Sequence, residues 1–154
     1  MKLIRLIVTF FSIGNAEIAP GTIASLATVV LFYVFAMHLS VFSFILIILT
    51  ITVLAFVTVR IYTTDLLEKD RSEIVIDEVI GQSISLLPLL IFKESAFTEL
   101  YLCIISLLFF RFFDIVKPFP INKFDNMNSP FGIIFDDILA GTFSAILLIA
   151  ILIL

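Results

Sequence analysis

Residues 110–141 read FRFFDIVKPFPINKFDNMNSPFGIIFDDILAG. This segment gathers Arg111, Asp114, Lys117, Lys123, Asp125, Asp136 and Asp137, with three prolines, in a chain where only 14% of residues are charged. Residues 96–113 before it are apolar until Arg111, and residues 133–154 after it are apolar except for Asp136 and Asp137. A membrane-spanning helix needs about 20 mostly apolar residues, with roughly 17 as a lower limit. The segment therefore reads as the end of one such helix, a polar excursion along the membrane surface, and the start of another. Pro118 and Pro120 end the first helix, because proline lacks the N–H and restricts the residue before it.

The rest of the 154-residue chain agrees with that class. It is 62% hydrophobic, against about 45–50% in soluble domains, and its mean hydropathy is +1.26. The length predicts one domain over residues 1–154. The expected fold is an all-α integral membrane bundle of five long helices preceded by a short N-terminal one. The long helices fall at residues 23–37, 41–59, 74–92, 96–113 and 133–154, with turns at Met37-His38-Leu39-Ser40 and at Lys93-Glu94-Ser95. The opening residues MKLIRLIVTFFSIG lack a small-residue cleavage signal before Asn15-Ala16-Glu17, so an amphipathic or half-inserted helix is expected there, not a cleaved leader.

A net charge of -4 without a basic stripe excludes a nucleic-acid partner. The single cysteine, Cys103, excludes an internal disulfide and a cysteine-rich metal site. Charge also sets an orientation. With the turns at His38 and Lys93 outside, eight of nine basic residues lie inside and only Lys93 lies outside, in accord with the positive-inside bias. Three polar stretches separated in sequence, residues 17–25, 70–82 and 111–137, then converge on the cytoplasmic face.

Each stretch carries chemistry. Asp77 and Glu78 lie a few residues into an apolar helix, and Asp136 and Asp137 repeat that placement in the last one. Ionised carboxylates there are expensive unless paired or bound to a cation. Acids in the first turn of a helix are also stabilised by its dipole; two such pairs plus Asp114 on one face favour a cation. Neighbouring residues on a helix point about 100° apart, so within each pair one acid is expected to bind directly and the other to support it. Oxygen ligands without histidine or cysteine suit Mg2+. Arg111, Asp114 and Lys117 recur at spacings of three on one helix face, which suits either an interfacial ion-pair ladder or a phosphate clamp. In Ala19-Pro20-Gly21-Thr22-Ile23-Ala24-Ser25, Thr22 is placed to cap the following helix, and free backbone N–H groups at the helix start make an anion site. The lone histidine, His38, sits at the other end, which argues against histidine- and cysteine-nucleophile phosphatases and leaves a metal-activated water as the simplest nucleophile.

In this order, IAPGTIASL, IVIDEVIG and FRFFDIVKPFPINKFD…GIIFDDILAG resemble the phosphatidylglycerophosphatase A family, over nearly the whole chain from Gly14 onward. The resemblance implies an all-helical, multi-pass protein of the inner (cytoplasmic) membrane with its active site facing the cytoplasm. It implies a Mg2+-dependent hydrolase that converts phosphatidylglycerophosphate, held in the lipid bilayer, to phosphatidylglycerol and phosphate. Roles are implied for Asp77, Glu78, Asp136 and Asp137 as metal ligands and for Asp114, Arg111, Lys117 and Asp125 in catalysis. From the anion site at the helix start, Gly21, Thr22 and Ser25 are expected to join Arg111 and Lys117 in holding substrate. Ala24 stands where the family usually has a second glycine, and the loop before Gly132 reads Asn-Ser-Pro-Phe in place of glycines; the acidic and basic set is complete. The rival readings are a cation transporter, which would need polar residues deep in several helices, and a non-enzymatic scaffold, which would not depend on metal.

Overall fold

A computed structural model describes residues 2–64, 72–92, 96–127 and 129–154. The turn expected at Lys93-Glu94-Ser95 and the charged run 65–71 lie outside the described residues. Among those described the chain is helical throughout, with no strand.

Helix α1 (Lys2–Val8) is short and packs on α3. Helix α2 (Pro20–Phe35) opens with Ala19 in the left-handed region at φ 46° and Pro20 as its first residue. Proline suits that position because its fixed φ matches the helix and its missing N–H would have had no partner there. This corrects the expected role of Thr22. Pro20 starts the helix two residues earlier, so Thr22 lies inside the first turn and caps nothing. Helix α3 (Val41–Tyr62) is capped by Ser40, whose hydroxyl accepts from Ser43 N–H at 3.1 Å.

The third predicted helix is divided. Helix α4 (Ile76–Leu86) stops at Leu87, and α5 (Pro88–Ile91) follows. Pro88 has no N–H for the carbonyl four residues back, and Leu87 N–H closes a tighter turn on Ile84 at 3.2 Å instead. At about 1.5 Å per residue, α4 alone is too short to cross a bilayer. Helix α6 (Ala96–Val116) is followed by α7 (Ile121–Asp125) and by α8 (Pro130–Ile153), where Ser129 accepts from Gly132 N–H at 3.1 Å and Pro130 takes the first position.

Among the described residues, three segments are long and apolar enough to span a membrane: Pro20–His38, Val41–Tyr62 and Pro130–Ile153. Helix α6 has the length but carries Glu99, Arg111 and Asp114. Around α4 pack α2, α3, α6 and α8, and nearly all of its side chains are buried. The outward faces are the reverse. Phe42, Leu49 and Val53 on α3 are exposed at 71%, 55% and 65%. Apolar surface on this scale fits hydrocarbon and not water.

Glycine sets the closest helix contact. A Cβ on Gly141 of α8 would collide with the carbonyl oxygen of Gly81 on α4, and a Cβ on Gly81 would come within 2.6 Å of the Asp137 carbonyl oxygen. Below this contact, Ser85, Ser106 and Ser144 tie α4, α6 and α8 together, with Ser85 Oγ 2.7 Å from Ser106 Oγ and 2.5 Å from Ser144 Oγ. Gln82 Nε2 donates to Ser106 Oγ at 3.1 Å. Buried hydroxyls satisfied across helices are a membrane-compatible joint, because no water competes for them.

Candidate active site

Asp77 and Gly81 are four residues apart on α4, and Asp137 and Gly141 are four apart on α8. Residues at that spacing share a helix face. The glycine contact that brings the two backbones together therefore also turns both aspartates toward one point. Asp77, Glu78 and Asp137 each offer a carboxylate oxygen there, with the three atoms within 4.8 Å of one another. Asp77 Oδ1 accepts from Glu78 N–H at 3.1 Å, and Glu78 Oε2 is buried without a hydrogen-bond partner among the described residues.

These acids open into a cavity of about 320 Å³ whose wall also includes Ser72, Asp114, Lys117, Asp125, Asn126, Ser129 and Asp136. Lys117 is the cation among its described lining residues. Helix α6 ends at Val116, and Lys117 adopts the left-handed conformation at φ 46°, its N–H bonded to Phe113 O at 2.9 Å before Pro118. This is an αL helix end followed by proline. It takes Lys117 off the helix face shared by Arg111 and Asp114, so a three-residue ladder, one of the two arrangements the spacing suits, stops after one rung. Arg111 Nη1 lies 2.7 Å from Asp114 Oδ2. Lys117 Nζ instead bonds Asp125 and, at 2.8 Å, Asp136 Oδ2. Burial disfavours the Lys117 ammonium, but the hydrogen bonds and charges of Asp125 and Asp136 outweigh that cost and raise its pKa above the ordinary lysine value. Lysine is thus charged throughout the neutral range.

The two acids of the last helix consequently differ. Asp137 joins Asp77 and Glu78, while Asp136 is held by Lys117 through one oxygen and leaves Oδ1 without a partner among the described residues. Arg111 sits behind Asp114, toward α2, and does not line the cavity. Gly21 is where α2 meets that layer: a Cβ there would collide with Glu78 Oε1 and lie 3.3 Å from Arg111 Nη1. Ser25 is buried and donates to Gly21 O at 2.9 Å, and Thr22 is exposed. Neither Gly21, Thr22 nor Ser25 lines the cavity. Ser72, Asn126 and Ser129 do, and no sequence feature singled them out. Ser129 was legible as a helix cap, since it immediately precedes Pro130; Gly81 and Gly141 were legible as partners of Asp77 and Asp137 through the four-residue spacing.

The donor set suits a hard divalent cation. Among the described residues, six carboxylates (Asp77, Glu78, Asp114, Asp125, Asp136 and Asp137) stand against Lys117 and Arg111. Buried like charges at this density are relieved by protonation or by a compensating positive charge. The clustered oxygens and the unpartnered Glu78 Oε2 are the groups a cation would satisfy.

The model of the family described as phosphatidylglycerophosphatase A (PgpA) matches residues 6–152. A phosphatidylglycerophosphatase A of Haemophilus influenzae is 35% identical over 149 residues, covering 96% of this chain and 88% of that protein. A protein of Bacteroides thetaiotaomicron, provisionally named a phosphatidylinositol-3-phosphatase, is 33% identical over 147 residues, covering 93% and 89%. A phosphatidylglycerophosphatase A of Escherichia coli K12 is 31% identical over 148 residues, covering 92% and 78%. No solved structure matches this chain. The chain belongs to the phosphatidylglycerophosphatase A family and is a phosphatase acting on a phosphomonoester.

Proposed function

We propose that this protein hydrolyses the phosphomonoester of phosphatidylglycerophosphate with Mg2+, at the cytoplasmic face of the inner membrane, releasing phosphatidylglycerol and phosphate. The observation that carries the reading is the convergence of Asp77, Glu78 and Asp137 beside Lys117, in a polar cavity at one end of an apolar helical bundle. A monoester carried on a lipid headgroup can reach that cavity while its acyl chains remain among the helices.

Asp77, Glu78 and Asp137 would hold the cation, with Asp136 and Asp114 at its margin. When bound, a divalent cation supplies Lewis-acid stabilisation of phosphoryl charge and a more acidic water. The chain's own residues do the rest. Lys117 presents a permanent positive charge to the phosphate oxygens as their charge builds in the transition state. Arg111 fixes Asp114 through the 2.7 Å ion pair, and Asp125 with Asp136 fixes the Lys117 side chain. Water adds to phosphorus, the bond from phosphorus to the headgroup oxygen breaks, and that oxygen takes up a proton.

The cytoplasmic orientation is supported by the basic residues. Lys2, Arg5, Arg60, Arg111, Lys117 and Lys123 all belong to segments at the cavity end, and positive residues favour the cytoplasmic side.

The test is phosphate release by the purified protein in detergent from phosphatidylglycerophosphate and from phosphatidylinositol 3-phosphate. The expected result is a kcat/KM at least about tenfold higher for the former, a difference of about 1.4 kcal/mol in transition-state binding. Equal or reversed preference would replace the substrate while keeping the reaction.

A further inference from the structure

A second groove adjoins the charged cavity. It occupies about 400 Å³ between the C-terminal end of α3 and the start of α8, lined by Phe56, Val57, Arg60, Ser129, Pro130 and Phe131. Ser129 lines both spaces, so they share a wall. Phe56 and Phe131 face each other with ring centroids 6.0 Å apart and join the two helices. Arg60 lies in the last turn of α3, exposed, and makes no ion pair among the described residues.

We propose that this groove receives the phosphodiester and the adjoining acyl chain of the lipid whose phosphomonoester enters the charged cavity, and that Arg60 recognises the diester. The inference rests on the lipid-phosphatase reading. Any phospholipid bearing a monoester on a polyol headgroup carries at least two phosphates, the diester that joins the headgroup to the lipid and the monoester on another of its hydroxyls. The acid-rich cavity suits only the phosphate that a cation can neutralise, and it repels the other. Arg60 supplies the complementary charge outside the acids, in the space next door. A guanidinium binds a phosphate through two parallel hydrogen bonds. The aromatic and aliphatic walls on its membrane side suit a hydrocarbon chain, so the groove's sequence of charge then apolar surface matches the lipid's order of diester then acyl chain. The same reasoning covers either headgroup polyol, because both lipids keep the diester.

An interfacial arginine can also serve only as a membrane anchor, with its stem along apolar surface and its head in water. The two roles separate in inhibition kinetics. The full-length protein in mixed micelles with Mg2+ would be assayed as wild type, Arg60→Gln and Arg60→Lys. The competitors are phosphatidylglycerol, which has the diester alone, and inorganic phosphate, which mimics the monoester. The expected result for Arg60→Gln is a rise of about tenfold in KM for phosphatidylglycerophosphate and in Ki for phosphatidylglycerol. Its kcat and its Ki for inorganic phosphate should stay within about twofold, and Arg60→Lys should show a smaller rise. Unchanged KM and phosphatidylglycerol Ki in Arg60→Gln would overturn the assignment, as would an equal weakening of inorganic phosphate. Wild-type protein that releases phosphate from neither lipid would overturn the underlying phosphatase reading, a failure visible before Arg60 is altered.

Discussion

Lys117 is the residue through which the cavity's charges are organised. Its position was evident from the sequence, but its partners were not. Spacing placed it on the face of Arg111 and Asp114, whereas the left-handed turn at φ 46° points it to Asp125 and Asp136. A lysine that leaves the helix cannot be distinguished from one that stays by counting residues alone. Pro118 marks the helix end only to within a residue, and that residue decides which carboxylates the ammonium meets. Replacing Lys117 with Met keeps the volume and removes the charge. Loss of a preorganised charge aimed at a developing oxyanion costs on the order of 100-fold or more. Lys117→Met should therefore lower kcat by about that factor while helical content by circular dichroism stays the same. Activity within about threefold of wild type would remove Lys117 from the chemistry.

The contact between α4 and α8 sets the position of the site's acids. The apolar runs gave the order of the long helices but not their number, since the third is divided; hydropathy sets the order because a hydrocarbon environment leaves it little competition. The break at Pro88 was legible in principle from proline's missing N–H, yet the apolar run continues through it and hides it. Thr22 was misread for a related reason: hydroxyl residues are common caps, but Pro20 two positions earlier had already started the helix. The pairing of α4 with α8 left a subtler trace in Gly81 and Gly141, each four residues beyond an aspartate. A side chain at Gly141 meets the Gly81 backbone and must push the helices apart. Overpacking of this kind costs about 1–3 kcal/mol, and here it also separates Asp137 from Asp77 and Glu78. Gly141→Val should lower the unfolding midpoint in detergent and reduce kcat together with metal affinity. A variant as stable and as active as wild type would show that the close approach does not set the site.

For the whole molecule, the arrangement explains why a hydrolytic site sits on so hydrophobic a chain. Helix α4 is wrapped by four others and presents Asp77 and Glu78 at its first turn, while the outward faces of the bundle are apolar. The buried hydroxyl joint of Ser85, Ser106 and Ser144 lies on the helices that carry the site and forms a closed set of hydrogen bonds. A cation pathway would need polar groups continuing toward the far end. The far half of α3 is instead apolar except for Ser43, which pairs with Ser40, and Thr50, which donates to Leu46 O at 2.8 Å, and α8 is apolar beyond Ser144. The composition made membrane embedding legible, and the family resemblance made the phosphatase legible. The grouping of three of the four expected ligand acids, with Asp136 turned to Lys117, required the fold.

The central claim is that Asp77, Glu78 and Asp137 hold a cation on which lipid dephosphorylation depends. The most direct measurement is phosphate release from phosphatidylglycerophosphate by the purified protein with Mg2+, then with EDTA, then with Mg2+ restored, alongside Asp137→Asn. The expected results are release with Mg2+, its loss in EDTA, its recovery on restoration, and a fall to background in Asp137→Asn with the protein still inserted and helical. Release that persists in EDTA, or that survives in Asp137→Asn, would contradict that claim.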